Sequence, residues 1–183
     1  MCTWAAVETI NYFLRNGTDV YACLMDMTKA FDLVRHSLLF KKLIAAGLSV
    51  IFVRLLLFIY INQFANVRWN GSFSNLFSVK NGVRQGAIFS GILYCFYTND
   101  LFTILRRNIT GCWVNNVYMG ILGYSDDNLL IAPSLDSLQE MVKTCEEYAI
   151  EHNLKFSTNT IPANCKTKCI AKWTKSGSLV LLS

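Results

Sequence analysis

Three aspartates provide the chemistry that this sequence indicates most strongly. Asp126 and Asp127 are adjacent at a turn between two apolar segments, and Asp26 ends a third, residues 19–26. Like charges this close disfavour joint ionisation unless a cation lies between them. Carboxylate oxygens suit Mg²⁺, and two such ions can serve phosphoryl transfer. An isolated Asp-Asp pair in a turn is more often structural, so it is Asp26 that favours the catalytic interpretation.

Hydrophobic spacing predicts the elements that must position these acids. Residues 19–26 are apolar on both sides, which predicts a buried central strand. Two further strands, 117–124 and 128–132, flank the acidic turn. Helices are predicted at 36–46, 49–61, 90–107 and after Ser134, and strands at 64–70, 73–80, 168–174 and 179–182. This order predicts an α+β fold, an antiparallel sheet covered by helices on one face.

A glycine-flanked loop precedes the predicted helix 90–107. Gly82 and Gly86 bracket Arg84 and Gln85. Glycine lets the backbone approach a ligand closely, and a helix N-terminus favours anions. A simple connection between a strand and a helix would explain the same glycines.

The charge distribution is uneven. No acid occurs between Asp32 and Asp100, although seven lysine or arginine residues lie there, and the net charge of the chain is +5. Such segregation predicts a positive surface suited to a phosphate backbone, and solvated faces of an ordinary basic protein are the alternative. The apolar run 48–61 contains Arg54 and is shorter than the roughly twenty residues that a bilayer needs. It therefore predicts a buried helix and no membrane span.

The seven cysteines show no metal-binding spacing. Cys145, His152, Cys165 and Cys169 could be grouped, but their spacing matches no common zinc site. Reduced, mostly buried thiols are the simpler interpretation.

Four motifs, in this order, resemble those of non-LTR (LINE-like) retrotransposon reverse transcriptases. Residues 26–32 resemble the first motif, Asp-x-x-Lys-Ala-Phe-Asp. Residues 82–86 followed by Ser90 resemble the second, with Gly91 where the family usually has proline. Residues 124–127 resemble the Tyr-x-Asp-Asp box, and residues 166–168 the lysine-containing fourth motif. The ordered set is far more specific than any single motif.

The resemblance implies a polymerase palm and RNA-directed DNA polymerase activity with two Mg²⁺ ions, which Mn²⁺ can replace. Asp26 and Asp126 would hold the ions together with the backbone carbonyl of Met27, and Asp127 would be a third, supporting carboxylate. Lys166 would donate a proton to the leaving pyrophosphate; a surface lysine is the alternative there.

The resemblance also implies residues that contact the substrates. Phe31 lies where the family has the aromatic ring that excludes a 2′-hydroxyl, although a core position would explain it too. The other expected contacts are Ala30, Arg84, Gln85, Gly86 and Tyr124. The implied partners are an RNA template, a DNA primer and deoxynucleoside triphosphates, within an intracellular retroelement ribonucleoprotein in the nucleus or cytoplasm.

The matched motifs imply a single domain, 1–183, made of the palm and part of the fingers, without thumb or endonuclease. We therefore expect the chain alone to bind primer–template weakly and to extend it poorly or not at all. Two alternatives remain at this point. One is an inactive nucleic-acid-binding remnant; the other is an RNA-dependent RNA polymerase, against which Phe31 argues.

Overall fold

The computed structural model of the chain describes residues 2–156, 170–174 and 179–182. Its helices are α1 (Cys2–Arg15), α2 (His36–Ala45), α3 (Val50–Ile61), α4 (Ser90–Arg107) and α5 (Leu135–His152). Its strands are β1 (Val20–Asp26), β2 (Phe64–Ala65), β3 (Arg68–Trp69), β4 (Ser72–Phe73), β5 (Phe77–Ser78), β6 (Trp113–Val114), β7 (Val117–Tyr118), β8 (Ile121–Tyr124), β9 (Asp127–Ala132), β10 (Ile170–Trp173) and β11 (Leu179–Leu182).

The chain divides into two compact units, Met1–Ala30 with Thr98–Ser183, and Phe31–Tyr97. The first unit is built on a five-stranded sheet in the order β11-β10-β1-β9-β8. Each neighbouring pair in this sheet is antiparallel. The predicted α+β fold with an antiparallel sheet is confirmed.

β1 is central in this sheet because its residues are apolar on both faces. Val20 and Met25, which point to opposite faces, are both fully buried. Val20 and Ala22 pack with Ala6 and Ile10 of α1 in one apolar cluster. A strand buried on both faces requires such continuous apolar sequence, and the prediction of a buried central strand is confirmed.

α5 packs on β9 and β1 of the same sheet. Ser134 caps its first turn, with the hydroxyl accepting a hydrogen bond from the Ser137 N–H, as the sequence predicted. Burial raises the pKa of the Cys145 thiol on this helix to about 12, so this thiol stays protonated at neutral pH. His152 is buried on the same helix, and Cys165 and Cys169 lie outside the described residues.

One predicted strand, 117–124, is interrupted. β7 pairs with β6 through a turn at Asn115 and Asn116, both with positive φ, whereas β8 pairs with β9. The chain changes partner between Tyr118 and Ile121. Periodicity within a single strand does not show a change of pairing partner, which explains the error.

The second unit contains α2, α3, the short strands β2 to β5 and the loop that leads into α4. The prediction that α3 is buried was wrong, because only Val53, Leu56 and Tyr60 are buried and Ile51 is 81% exposed. An apolar run identifies an apolar helix, but only its neighbours decide how much of it is covered. In the described part of the chain, no helix is both long and apolar enough to cross a membrane.

Candidate active site

The acidic turn is a two-residue hairpin between β8 and β9. Tyr124 and Asp127 are paired across it, which leaves Ser125 and Asp126 as the loop. Ser125 adopts a φ of +59°, the left-handed conformation that such tight turns demand and that serine adopts at a cost. The turn therefore carries local strain next to two acids.

β1 places the third acid directly beside this turn. Asp26 is paired with Asp127 across the β1–β9 ladder. Residues directly opposite on antiparallel strands point to the same face, with Cβ atoms roughly 4.5–5.5 Å apart. Asp127 is exposed, and Asp26 and Asp126 are half-buried. The register thus sets Asp26 opposite Asp127, with Asp126 in the adjoining turn, whereas the resemblance had implied Asp26 and Asp126 as the metal-binding pair.

This donor set fits Mg²⁺. In the described residues, no three His, Cys, Asp or Glu side chains are close enough to hold an ion by themselves. Mg²⁺ is usually bound by one or two carboxylates, with water and substrate phosphates completing its shell. The opposed pair, Asp26 and Asp127, with Asp126 adjacent, has this character. Met27, whose carbonyl was a predicted ligand, is buried and forms a bridge with Phe156.

Asn128 is a residue of this site that the sequence analysis missed. Its side chain is buried, and its amide donates a hydrogen bond to the backbone carbonyl of Asp126 at 3.2 Å. This hydrogen bond therefore stabilises the strained turn. The available signal was an amide residue followed by the apolar run 129–132, since a buried polar side chain is usually hydrogen-bonded.

An open groove adjoins the acids on the same face. It has a volume of about 470 Å³ and is lined by Leu24, Leu122, Tyr124, Asp127 and Leu129, with Thr3 and Ala6 of α1. Leu24 is half-exposed and Tyr124 is 76% exposed. The apolar floor beside the exposed carboxylate of Asp127 leaves room for a ligand with both apolar and charged parts.

In the second unit, the glycine-flanked loop is fastened to the residues that follow Ala30. Val83 N–H donates to the Phe31 carbonyl at 2.8 Å, and Gly82 N–H donates to the Val34 carbonyl at 2.8 Å. A Cβ on Gly82 would lie 3.1 Å from three backbone atoms of Phe31 and Asp32. Glycine is needed there for this close approach.

Two further contacts hold the loop, and neither was predicted. The His36 ring nitrogen Nε2 lies 2.7 Å from the Gly82 carbonyl. The hydroxyl of Ser90, which is buried, donates to the Arg84 carbonyl. The predicted contact residues Arg84, Gln85 and Gly86 are all exposed between these anchors.

Phe31 is half-buried, with its ring 5.2 Å from that of Tyr94. Ala30, another predicted contact residue, is buried. Gln85 donates to the Asp32 carboxylate at 3.4 Å. Lys166 lies outside the described residues. The structure thus sets Asp26 opposite Asp127 in the first unit, and the loop contacts Phe31 in the second.

Comparison with known proteins identifies relatives among retroelements. A family model described as reverse transcriptase (RNA-dependent DNA polymerase) matches residues 3–169. The transposon TX1 uncharacterized 149 kDa protein of Xenopus laevis is 30% identical over 78% of this chain. The retrovirus-related Pol polyprotein from type-1 retrotransposable element R2 of Popillia japonica is 25% identical over 66% of it. The matched regions span only 11% and 20% of those two proteins.

Two telomerases are among the solved structures with a similar fold. The telomerase of Candida albicans, in complex with a TWJ fragment of telomeric RNA, matches all of this chain with a TM-score of 0.65 at 13% identity. The match covers 33% of that chain. Apo telomerase of Candida tropicalis, truncated from its C-terminal domain, matches 99% of this chain with a TM-score of 0.60 at 15% identity. It covers 39% of that chain, and at this identity the likeness concerns the fold.

Gly82→Ala should destabilise the chain. The new Cβ would lie 3.1 Å from backbone atoms, and φ is +90°, a conformation that alanine adopts only with strain, so we expect a free energy of unfolding lower by roughly 1–3 kcal/mol. Gly91→Ala is the matched control, because its Cβ meets nothing within 4 Å. Urea unfolding followed by circular dichroism measures both. Equal stabilities for the two variants would contradict the close approach.

Asn128→Leu should also destabilise the chain, because it leaves the Asp126 carbonyl without its buried donor. The expected loss is about 1–3 kcal/mol in the free energy of unfolding. Asn62→Leu provides the comparison, since the Asn62 amide also donates to a backbone carbonyl, that of Phe58, but is exposed. Its loss should stay within about 0.5 kcal/mol. If Asn128→Leu is no worse than Asn62→Leu, Asn128 does not hold the turn.

Proposed function

This chain belongs to the reverse transcriptase family, and we propose that it carries the active site of an RNA-directed DNA polymerase of a non-LTR retroelement. The observation that carries the proposal is the register that places Asp26 opposite Asp127, beside Asp126 in the strained turn. The chain spans only a small part of the curated relatives, so the activity is proposed for this active site within whatever protein contains it.

The carboxylates of Asp26, Asp126 and Asp127 would hold divalent cations, with the Met27 carbonyl as a further oxygen ligand. Two Mg²⁺ ions, or Mn²⁺ in their place, would supply activation of the primer 3′-hydroxyl and charge neutralisation at the leaving pyrophosphate. The protein's own part is to fix the acids. Pairing across the β1–β9 ladder sets the spacing of Asp26 and Asp127, and Asn128 fixes the carbonyl of Asp126.

The loop and Phe31 would handle the incoming deoxynucleoside triphosphate. Arg84 is exposed and suits a phosphate, and Gln85 and Gly86 offer an amide and an open backbone to the nucleotide and the template. The Phe31 ring, supported by Tyr94, would occupy the space that a 2′-hydroxyl needs. The backbone of Ala30 would contribute beside it, and Tyr124, exposed at the groove, would contact the primer end.

An RNA template and a DNA primer are the proposed macromolecular partners. The segment Phe31–Tyr97 contains seven lysine or arginine residues and one acid, a net charge of +6, although the whole chain carries only +5. A surface of this sign attracts a phosphate backbone. Lys166 remains the proposed proton donor to pyrophosphate. Localisation in a nuclear or cytoplasmic ribonucleoprotein is part of the same proposal.

Primer extension tests the activity. In a longer protein that contains this active site, RNA template, DNA primer, deoxynucleotides and Mg²⁺ should give metal-dependent addition of nucleotides that Asp126→Asn abolishes, whereas the 183-residue chain alone should extend the primer poorly or not at all. Asp136→Asn removes an exposed acid from the first turn of α5 and should leave the addition unchanged. Addition that persists in Asp126→Asn would refute the proposed site. Equal use of ribonucleotides would instead favour an RNA polymerase.

Sugar selection tests the role of Phe31. Phe31→Val opens space under the sugar, so ribonucleotide incorporation should rise by at least tenfold relative to deoxynucleotide incorporation, about 1.4 kcal/mol in transition-state discrimination. Phe89→Val is the control, because Phe89 is 51% exposed and stacks edge-on against Phe52. Single-nucleotide addition with separate nucleotide pools measures both ratios. An unchanged ratio in Phe31→Val would indicate that Phe31 has only a packing role.

A further inference from the structure

The strands β2 to β5 form a two-stranded ribbon, residues 63–80, that is exposed along most of its length. Each residue from 66 to 78 is exposed. Among them are Trp69 at 81%, Phe73 at 62% and Leu76 at 71% exposure. Exposed aromatic side chains in such a concentration usually mark an interaction site.

The backbone of the ribbon is hydrogen-bonded as in a regular hairpin, although its residues are exposed. Val79 N–H donates to the Gln63 carbonyl and Ser74 N–H to the Val67 carbonyl, both at 2.9 Å. Its tip is a two-residue turn in which Asn70 and Gly71 have φ values of +45° and +82°, as a type I′ hairpin requires. The aromatic side chains are therefore held on a defined backbone.

The tip presents an aromatic ring on each face. Trp69 is paired with Ser72, and Arg68 with Phe73, so the two rings point to opposite faces of the ribbon. The Arg68 guanidinium carbon lies 5.6 Å from the centroid of the Phe73 ring. One face thus offers a bare indole beside a hydroxyl, and the other offers a ring with a cation over it.

The charge of the surrounding unit selects the kind of partner. With seven basic residues against Asp32 alone, this unit favours an anionic partner and disfavours a basic one. Single-stranded nucleic acid combines the required features, because its phosphates meet the positive charge and its unpaired bases stack on exposed aromatic rings. A duplex has its bases already stacked and would leave the rings unused.

We propose that the tip of this ribbon, Arg68 to Phe73, binds single-stranded nucleic acid by stacking bases on Trp69 and Phe73. This site shares no residue with the three acids of the proposed active site. It rests on the proposed function only in that an RNA template supplies a single-stranded stretch. Arg68 would contact a phosphate or extend the stacking surface of Phe73.

The test is fluorescence anisotropy of a labelled twelve-nucleotide oligouridine RNA titrated with the full chain. Trp69→Ala should weaken binding by about 5- to 150-fold, the equivalent of roughly 1–3 kcal/mol per stacked base. Trp69→Phe retains a ring and should stay within about threefold of the unaltered chain. Trp4→Ala removes a tryptophan that is also 69% exposed, but in the other unit, and should bind like the unaltered chain.

The salt dependence separates stacking from charge. Trp69→Ala should keep the slope of log affinity against log salt, whereas Arg68→Gln should reduce that slope by about 1 if Arg68 meets a phosphate. Circular dichroism should show each variant folded, since these side chains are exposed.

Three results would overturn the inference. One is equal RNA affinity in Trp69→Ala and Trp4→Ala while primer–template still binds, which leaves the proposed function standing. Another is failure of the unaltered chain to bind any nucleic acid, which would count against the proposed function as well. The third is self-association in sedimentation velocity that Trp69→Ala abolishes without changing RNA affinity, which would make the ribbon a protein-binding surface.

Discussion

Electrostatic repulsion between neighbouring carboxylates is the constraint on which the first unit depends. Asp26 lies opposite Asp127, which follows Asp126 in the turn, and like charges this close favour separation, so the backbone must hold them in place. A ladder of paired residues from Tyr21–Ala132 to Asp26–Asp127 provides this backbone. A slip of one residue in its register would turn Asp26 to the opposite face. Such a slip would also disrupt the packing of Val20 and Met25, which are both fully buried.

In the second unit, contacts with the backbone likewise hold a loop in place. Gly82 fits against the backbone of Phe31 and Asp32, and His36 and Ser90 fasten the rest of the loop. The exposed Arg84 and Gln85 are consequently presented on a fixed frame, although the loop contains no regular secondary structure. Binding costs less entropy when the protein groups are already in place, which is why a polymerase benefits from rigid loops around a mobile substrate.

The sequence predicted the acids, the central strand and the loop because each left a local signal: adjacent charges in apolar surroundings, an uninterrupted apolar run, and paired glycines. It did not predict Asn128 or His36 as supporting residues, since their roles depend on which backbone carbonyl lies within reach in the folded chain. Nor did it predict that α3 would be largely exposed, because burial depends on neighbours that local periodicity does not specify. Local signals identify secondary-structure elements and candidate metal ligands. The hydrogen bonds that support those residues can be recognised only in the folded chain.

Iron-mediated backbone cleavage tests whether the β1–β9 register creates a divalent-cation site. Fe²⁺ takes the place of Mg²⁺ in the chain with a deoxynucleoside triphosphate, and ascorbate with peroxide then generates radicals that cut the backbone next to the ion. A shared site predicts cuts both near Asp26 and near Asp126–Asp127. Excess Mg²⁺ should suppress these cuts, and Asp26→Asn should abolish them at both places. Cuts at only one of the two places, or cuts that Asp26→Asn leaves unchanged, would contradict a shared site.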